Sequence, residues 1–290
     1  MKVGVLVNGN QQLNTEEKAQ MAKQLNVSHV RENIVLSEFD WVEKSWDIYA
    51  PYGFRFVCNL NWQAGPNSYP NLDAYKSAIT KVMQSNYKAD VWVMQNEELN
   101  PNFNKFTASE YATMLRTASP IIKQYGGKMT NGGIYGSSLY QLTYRFVKSV
   151  YGQSAADTFG KLCMTKAQMK AANNPGSNSI QEAGIKDMLT VINAVKETCD
   201  YINVHFYIDP NPDGLIGVTD YSVFPTIQEY LRSYTGLETI TNETCVRNSK
   251  DAQLVTDTMA MYADAEIPYC LYLSLIHISE PTRQAEISYA

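Results

Sequence analysis

The residues that could do chemistry in this chain are few and widely spaced: Arg31, the run Gln95-Asn96-Glu97-Glu98, His205-Phe206-Tyr207 and Thr241-Asn242-Glu243. Each sits in or at the end of a short apolar run, where packing does not call for a polar side chain. Two carboxylates held opposite one another suit hydrolysis of a glycosidic bond: one protonates the departing oxygen and the other attacks the anomeric carbon. A separation of about 5–5.5 Å permits a covalent glycosyl intermediate and net retention. Each piece also has a plainer reading. Asn-Glu pairs are common at helix caps and in solvated loops, and Arg31 beside Glu32 could be a surface pair worth about 0–1 kcal/mol. His205 could be a satisfied core histidine, and Glu98 and Glu238 stand as rival carboxylates. Asn242-Glu243-Thr244 is in addition an Asn-x-Thr sequon, although a glycan there would block the site.

The elements that must hold these residues alternate between strand and helix. Apolar runs predict eight strands, at Val3–Val7, His29–Val35, Phe54–Leu60, Asp90–Gln95, Lys128–Gly133, Tyr201–Phe206, Leu237–Thr241 and Tyr269–Tyr272. Helical periodicity falls at Thr15–Leu25, Asn71–Gln84, Thr107–Tyr125, Ile180–Glu197, Pro225–Tyr234 and Ala252–Ala265. Thr107 and Glu110 have capping-box spacing. The polar stretch Ala155–Asn178 reads as an insertion between strands five and six. This order implies an α/β (β/α)₈ TIM barrel, with the chemistry at the strand ends of its C-terminal face. A doubly wound open sheet shares the alternation, but Gly9-Asn10-Gln11-Gln12 does not supply the glycine fingerprint of a dinucleotide fold.

The set Arg31, Asn96-Glu97, His205-x-Tyr207 and Glu243, on strands two, four, six and seven, resembles clan A glycoside hydrolases. The resemblance spans nearly all of residues 1–272 and is carried by short motifs. It implies a retaining (β/α)₈ enzyme with Glu97 as general acid/base and Glu243 as nucleophile. Asn96 would bind the sugar 2-hydroxyl, and Arg31 would hold Glu243 ionised. Tyr207 would donate to the nucleophile, with His205 lining the site. The motif match favours Glu97 over Glu98. One departure is that the clan commonly carries a tryptophan platform on strand eight, and this chain shows none. Sugar-stacking candidates are Trp62 and Tyr135, with Trp41 and Trp46 extending the cleft.

Composition narrows the alternatives. The 290 residues carry 24 Lys and Arg against 29 Asp and Glu, a net charge of −5, which argues against a nucleic-acid binder. No apolar run reaches the roughly 18–20 residues that span a bilayer. Five scattered cysteines lack metal-ligand spacing, and Cys58, Cys245 and Cys270 read as small buried hydrophobes. The expected ligand is a carbohydrate, with no metal and no cofactor. Met1 to Gly9 reads as a strand rather than a leader peptide, although the clan is often secreted. From Leu273 the sequence resembles a translated sequencing adapter. Residues 1–272 are therefore expected to form one catalytic domain, truncated within or just after strand eight, and 273–290 a non-native tail. Two rivals to a glycosidase are a non-catalytic carbohydrate-binding barrel and a metal-assisted barrel lyase or isomerase.

Overall fold

The computed structural model describes residues 1–6, 14–40, 46–209, 218–247 and 251–273. Among these described residues, nine parallel strands occur: β1 (Lys2–Leu6), β2 (His29–Val35), β3 (Arg55–Asn61), β4 (Val91–Met94), β5 (Met129–Asn131), β6 (Tyr201–Asn203), β7 (Phe206–Ile208), β8 (Glu238–Val246) and β9 (Tyr269–Tyr272). They form one sheet in the order β5-β4-β3-β2-β1-β9-β8-β6, with β7 also on β8. β6 and β7 are two halves of the expected sixth strand, so nine segments make eight staves. The ends of the sheet meet: Asp200 N–H donates to Met129 O, and Ile134 N–H to Asn203 O, at 2.9 and 3.0 Å. The sheet therefore curls into a (β/α)₈ barrel, as the alternation implies.

Helices α1 (Thr15–Gln24), α2 (Trp46–Tyr49), α3 (Leu72–Gln84), α4 (Ala108–Gln124) and α5 (Ser137–Tyr151) are followed by α6 (Gln153–Cys163), α7 (Lys166–Asn173), α8 (Ser179–Thr198), α9 (Val223–Thr235) and α10 (Ala252–Asp264). The Thr107–Glu110 capping box opens α4 as its spacing predicts. The insertion between strands five and six is largely helical: α6 and α7 bury Ala156, Phe159, Ala171 and Ala172 beneath polar outer faces. Trp46 is a correction to the cleft reading. It is buried and stacks on Phe56 at 3.8 Å, so it belongs to the core rather than to a sugar site. Trp41 and residues 274–290 lie outside the described residues. All five cysteines are free, and Cys58, Cys245 and Cys270 are buried.

Strand alternation stacks the barrel interior in layers. Val57, Val91, Val93, Tyr201, Ile240, Tyr269 and Leu271 form an apolar cluster separate from the main core. Two residues further along three of these strands come Asn59, Asn203 and Asn242, joined by Asn131 of β5, all fully buried. Asn131 Oδ1 accepts from Asn203 N–H at 2.8 Å, and Asn203 Oδ1 accepts from Asn242 N–H at 3.0 Å. These side chains thus stitch strands whose own ladder is short. Truncating one strands buried partners, each worth about 1–3 kcal/mol. Asn203→Ala is expected to cost about 3 kcal/mol, read by urea unfolding as a lower midpoint with an unchanged slope.

Candidate active site

Regular alternation would turn Asn242 and Glu243 to opposite faces of β8. The pairing with β9 slips here: Thr241 faces Cys270, and three residues later Thr244 faces Tyr272 only two residues on. Such a bulge re-aims a side chain, and both residues now serve the barrel mouth. At the end of β4, Gln95 and Glu97 adopt φ of 68° and 42°, left-handed values that cost a non-glycine residue energy. Asn104 pins this turn, donating to Asn96 O and Glu97 O at 2.7 and 2.9 Å.

Arg31 lies at the centre of the site and is only 3 % exposed. Its Nη1 donates to Glu243 Oε2, its Nη2 to Asn96 Oδ1 at 2.5 Å and its Nε to Asn59 Oδ1 at 3.1 Å. Tyr207 donates to Glu243 Oε1 at 2.7 Å. Burial works to raise the Glu243 pKa, but Arg31, His205 and the Tyr207 hydrogen bond outweigh it and hold the carboxyl at about 2. The surface-pair reading of Arg31 is thereby overturned.

Glu97 has a different environment. Its Oε1 faces His205 Nδ1 at 3.1 Å and Tyr207 at 3.4 Å, and its Oε2 accepts from Asn100 at 2.7 Å. His205 is buried and satisfied, as a core histidine would be, but one of its partners is this carboxylate. Burial opposes the charged ring, yet Glu243 and Glu97 raise its pKa. Tyr135 turns its hydroxyl toward Glu97, and burial together with that carboxylate pushes its pKa up.

The rival carboxylates sit elsewhere. Glu98 is 2 % exposed and takes Asn131 Nδ2 at 2.9 Å, and burial lifts its pKa to about 7. Glu238 is exposed at the start of β8. The sequon amide of Asn242 is fully buried among Asn59, Asn203 and His205, which closes it to a glycan. Trp62 is half-buried, with its ring edge-on to Tyr75 at 6.1 Å, and its backbone N–H donates to Gln95 Oε1 at 3.2 Å. A cavity of about 260 Å³ lined by Glu98, Leu99, Tyr135, Ser137, Asp187 and Met188 flanks the Glu97 side.

Sequence reasoning missed Asn59, Asn100, Asn104, Asn131 and Asn203. The available signal was asparagine inside or just after otherwise apolar strands, where a buried amide needs a reason.

One oxygen or nitrogen from each of Glu97, His205 and Glu243 lies within 4.8 Å of the others, a spacing that could hold a metal ion. Proton donors already occupy both Glu243 oxygens, and Arg31 brings positive charge against the one it binds. The donor set therefore fits an ion-paired, hydrogen-bonded carboxylate better than a cation site. Among the described residues, no helix is long and apolar enough to cross a membrane.

Stability should report the ion pair through pH. A carboxyl depressed in the folded state stabilises above its ordinary pKa and loses that contribution as pH falls toward its folded value. Between about pH 4.5 and 2, the wild type is therefore expected to lose more unfolding free energy than Glu243→Gln. Urea titrations of both proteins across that window check it.

No protein-family model and no curated protein matches the chain, whereas solved structures do. A family 39 glycoside hydrolase from the gut symbiont Bacteroides cellulosilyticus WH2 aligns with a TM-score of 0.53 at 12 % identity, over 94 % of this chain and 56 % of that one. The chain thus spans little more than half of that protein. A hyperthermophilic β-glucosidase aligns at a TM-score of 0.57 and 11 % identity, covering 90 % of this chain and 78 % of that one. A GH128 endo-β-1,3-glucanase from Amycolatopsis mediterranei, in complex with laminaritriose and laminaribiose, aligns at 0.52 and 9 % identity, covering 94 % and 88 %. At such identities the likeness is one of fold. The chain shares the (β/α)₈ barrel of these glycoside hydrolases, the architecture that its resemblance to clan A calls for.

Proposed function

We propose that the protein is a retaining glycoside hydrolase acting on a β-linked glycan or oligosaccharide. The observation that carries this reading is a pair of carboxylates, Glu97 and Glu243, with oxygens within 4.8 Å of each other and unlike surroundings. Inverting enzymes hold the pair about 6.5–9.5 Å apart to admit a water between them, and retaining enzymes about 5–5.5 Å apart. The spacing here supports retention.

Glu243, kept ionised by Arg31, attacks the anomeric carbon while the bond to the leaving oxygen breaks and Glu97 supplies the proton. In the second displacement Glu97 removes a proton from water. The water oxygen bonds to the anomeric carbon, and Glu243 is released as a carboxylate. Asn96, oriented by Arg31, would bind the 2-hydroxyl, and the cavity beside Tyr135 offers room on the leaving-group side. The β-glucosidase and endo-β-1,3-glucanase folds among the similar structures support a β-linked substrate. A pure carbohydrate-binding barrel has no use for an ionised carboxylate facing a second one that shares a histidine.

The test is a panel of aryl β-glycosides. Glu243→Ala is expected to abolish turnover. Glu97→Ala is expected to lose about 10²–10⁴-fold on poor leaving groups, to spare dinitrophenyl glycosides, and to yield the β-glycosyl azide when azide is added. Equal loss on both substrate types would remove Glu97 from the acid role. Oligosaccharide binding without any reducing-end release would favour the binding barrel.

A further inference from the structure

The side chains beneath the two carboxylates determine which nitrogen of His205 carries a proton. An amide's oxygen and nitrogen are ordinarily assigned by their partners, and here the partners leave one choice. Asn203 Oδ1 accepts from the backbone N–H of Asn242, so its Nδ2 is the atom 2.6 Å from Asn242. A donor there requires Asn242 to present Oδ1. From the other side, Asn59 Nδ2 donates to Gln95 O, and its Oδ1 takes Arg31 Nε, which can only donate. The atom of Asn242 that meets Asn59 Oδ1 at 3.0 Å is therefore Nδ2. Two independent chains fix the same orientation, and Asn242 Oδ1 then faces His205 Nε2 at 2.8 Å. That nitrogen must donate.

The far side of the ring is equally constrained. Asn100 Oδ1 accepts from Asn102 N–H, so Asn100 Nδ2 donates to Glu97 Oε2. The remaining Glu97 oxygen, Oε1, is the one facing His205 Nδ1. Gly133 approaches the ring so closely that an added Cβ would come within 2.2 Å of Nε2, so a larger residue there would displace the imidazole.

We propose that Asn242 is a positioning residue that locks the His205 proton on Nε2, leaving Nδ1 to share with Glu97 Oε1 the single proton used in acid catalysis. The inference rests on the glycosidase reading for the use of that proton, but not for its place. The first displacement moves the shared proton to the departing oxygen, leaving Glu97 as carboxylate and His205 neutral with its Nε2 proton. The second returns a proton from the attacking water to the same pair. The charged and titratable groups around His205 are Glu97, Glu98, Glu243 and Arg31, with Tyr207 on the same stave and Tyr135 facing Glu97.

The test is the ¹⁵N spectrum of the histidine-labelled full chain between pH 5 and 9, with the other two histidines assigned by single substitution. The expected result is an Nε2 proton at every pH and an Nδ1 resonance that titrates. A neutral ring protonated on Nδ1, or a ring doubly protonated throughout, would overturn the proposal. In Asn242→Ala the neutral ring should shift to the Nδ1 proton. Turnover of poor leaving groups should fall about 10²-fold, by clearly more than that of dinitrophenyl glycosides. Retention of the Nε2 proton in that variant also overturns it. If Asn242→Ala does not fold, the wild-type spectrum decides by itself. If no glycoside is cleaved, the spectrum still reads the proton's position, so failure of the glycosidase reading is distinguishable.

Discussion

The ion pair between Arg31 and Glu243 is the contact on which the rest of the site depends. Two charges taken out of water are costly unless each is paired and its remaining hydrogen-bonding capacity is filled. That requirement explains much of the surrounding sequence. Asn59 and Asn96 take the other guanidinium protons, Tyr207 takes the second Glu243 oxygen, and Asn242 offers its carbonyl to Arg31 at 3.4 Å. Truncating Asn59, Asn96 or Tyr207 would leave a buried donor or acceptor unmade, whereas the Asn242 contact is made by its backbone carbonyl.

The asparagines link fold and chemistry. Asn131, Asn203 and Asn242 replace missing ladder hydrogen bonds where the barrel closes, and the same amides orient the groups above them. A layer that holds staves together is rigid, which is what a site needs if its donors are to meet charge as it develops. Irregular backbone does the aiming. The β8 bulge turns Glu243 inward, and the left-handed turn after β4 presents Glu97. The two carboxylates then differ by environment alone: one meets a guanidinium, the other an imidazole that can share a proton.

Much of this was legible in the sequence. The strands at His29–Val35 and Tyr269–Tyr272 match their apolar runs to the residue, and the polar residues at strand ends converge as a barrel requires. Other features were hidden for physical reasons. The sixth stave breaks around Val204 and His205, and β8 runs to Val246 because bulged pairing continues past the apolar run. The helices α6 and α7 carry short apolar stripes that a polar composition masks. Trp46 was misplaced because an aromatic residue after a strand fits a cleft and a core equally well, and only packing on Phe56 decides. The asparagine layer could be noticed in sequence but not interpreted, since an amide's role depends on partners far away along the chain, such as Arg31 for Asn59 and Asn242 for Asn203.

The most direct test of the account is covalent capture of the nucleophile. The full chain would be incubated with a panel of 2-deoxy-2-fluoro-β-glycosyl fluorides, which form the glycosyl-enzyme and release it slowly, and then mapped by peptide mass spectrometry. The account predicts one glycosyl adduct, on Glu243, absent from Glu243→Gln. An adduct on Glu97 or Glu98, or hydrolysis of the parent glycoside with inversion and no adduct, would contradict it.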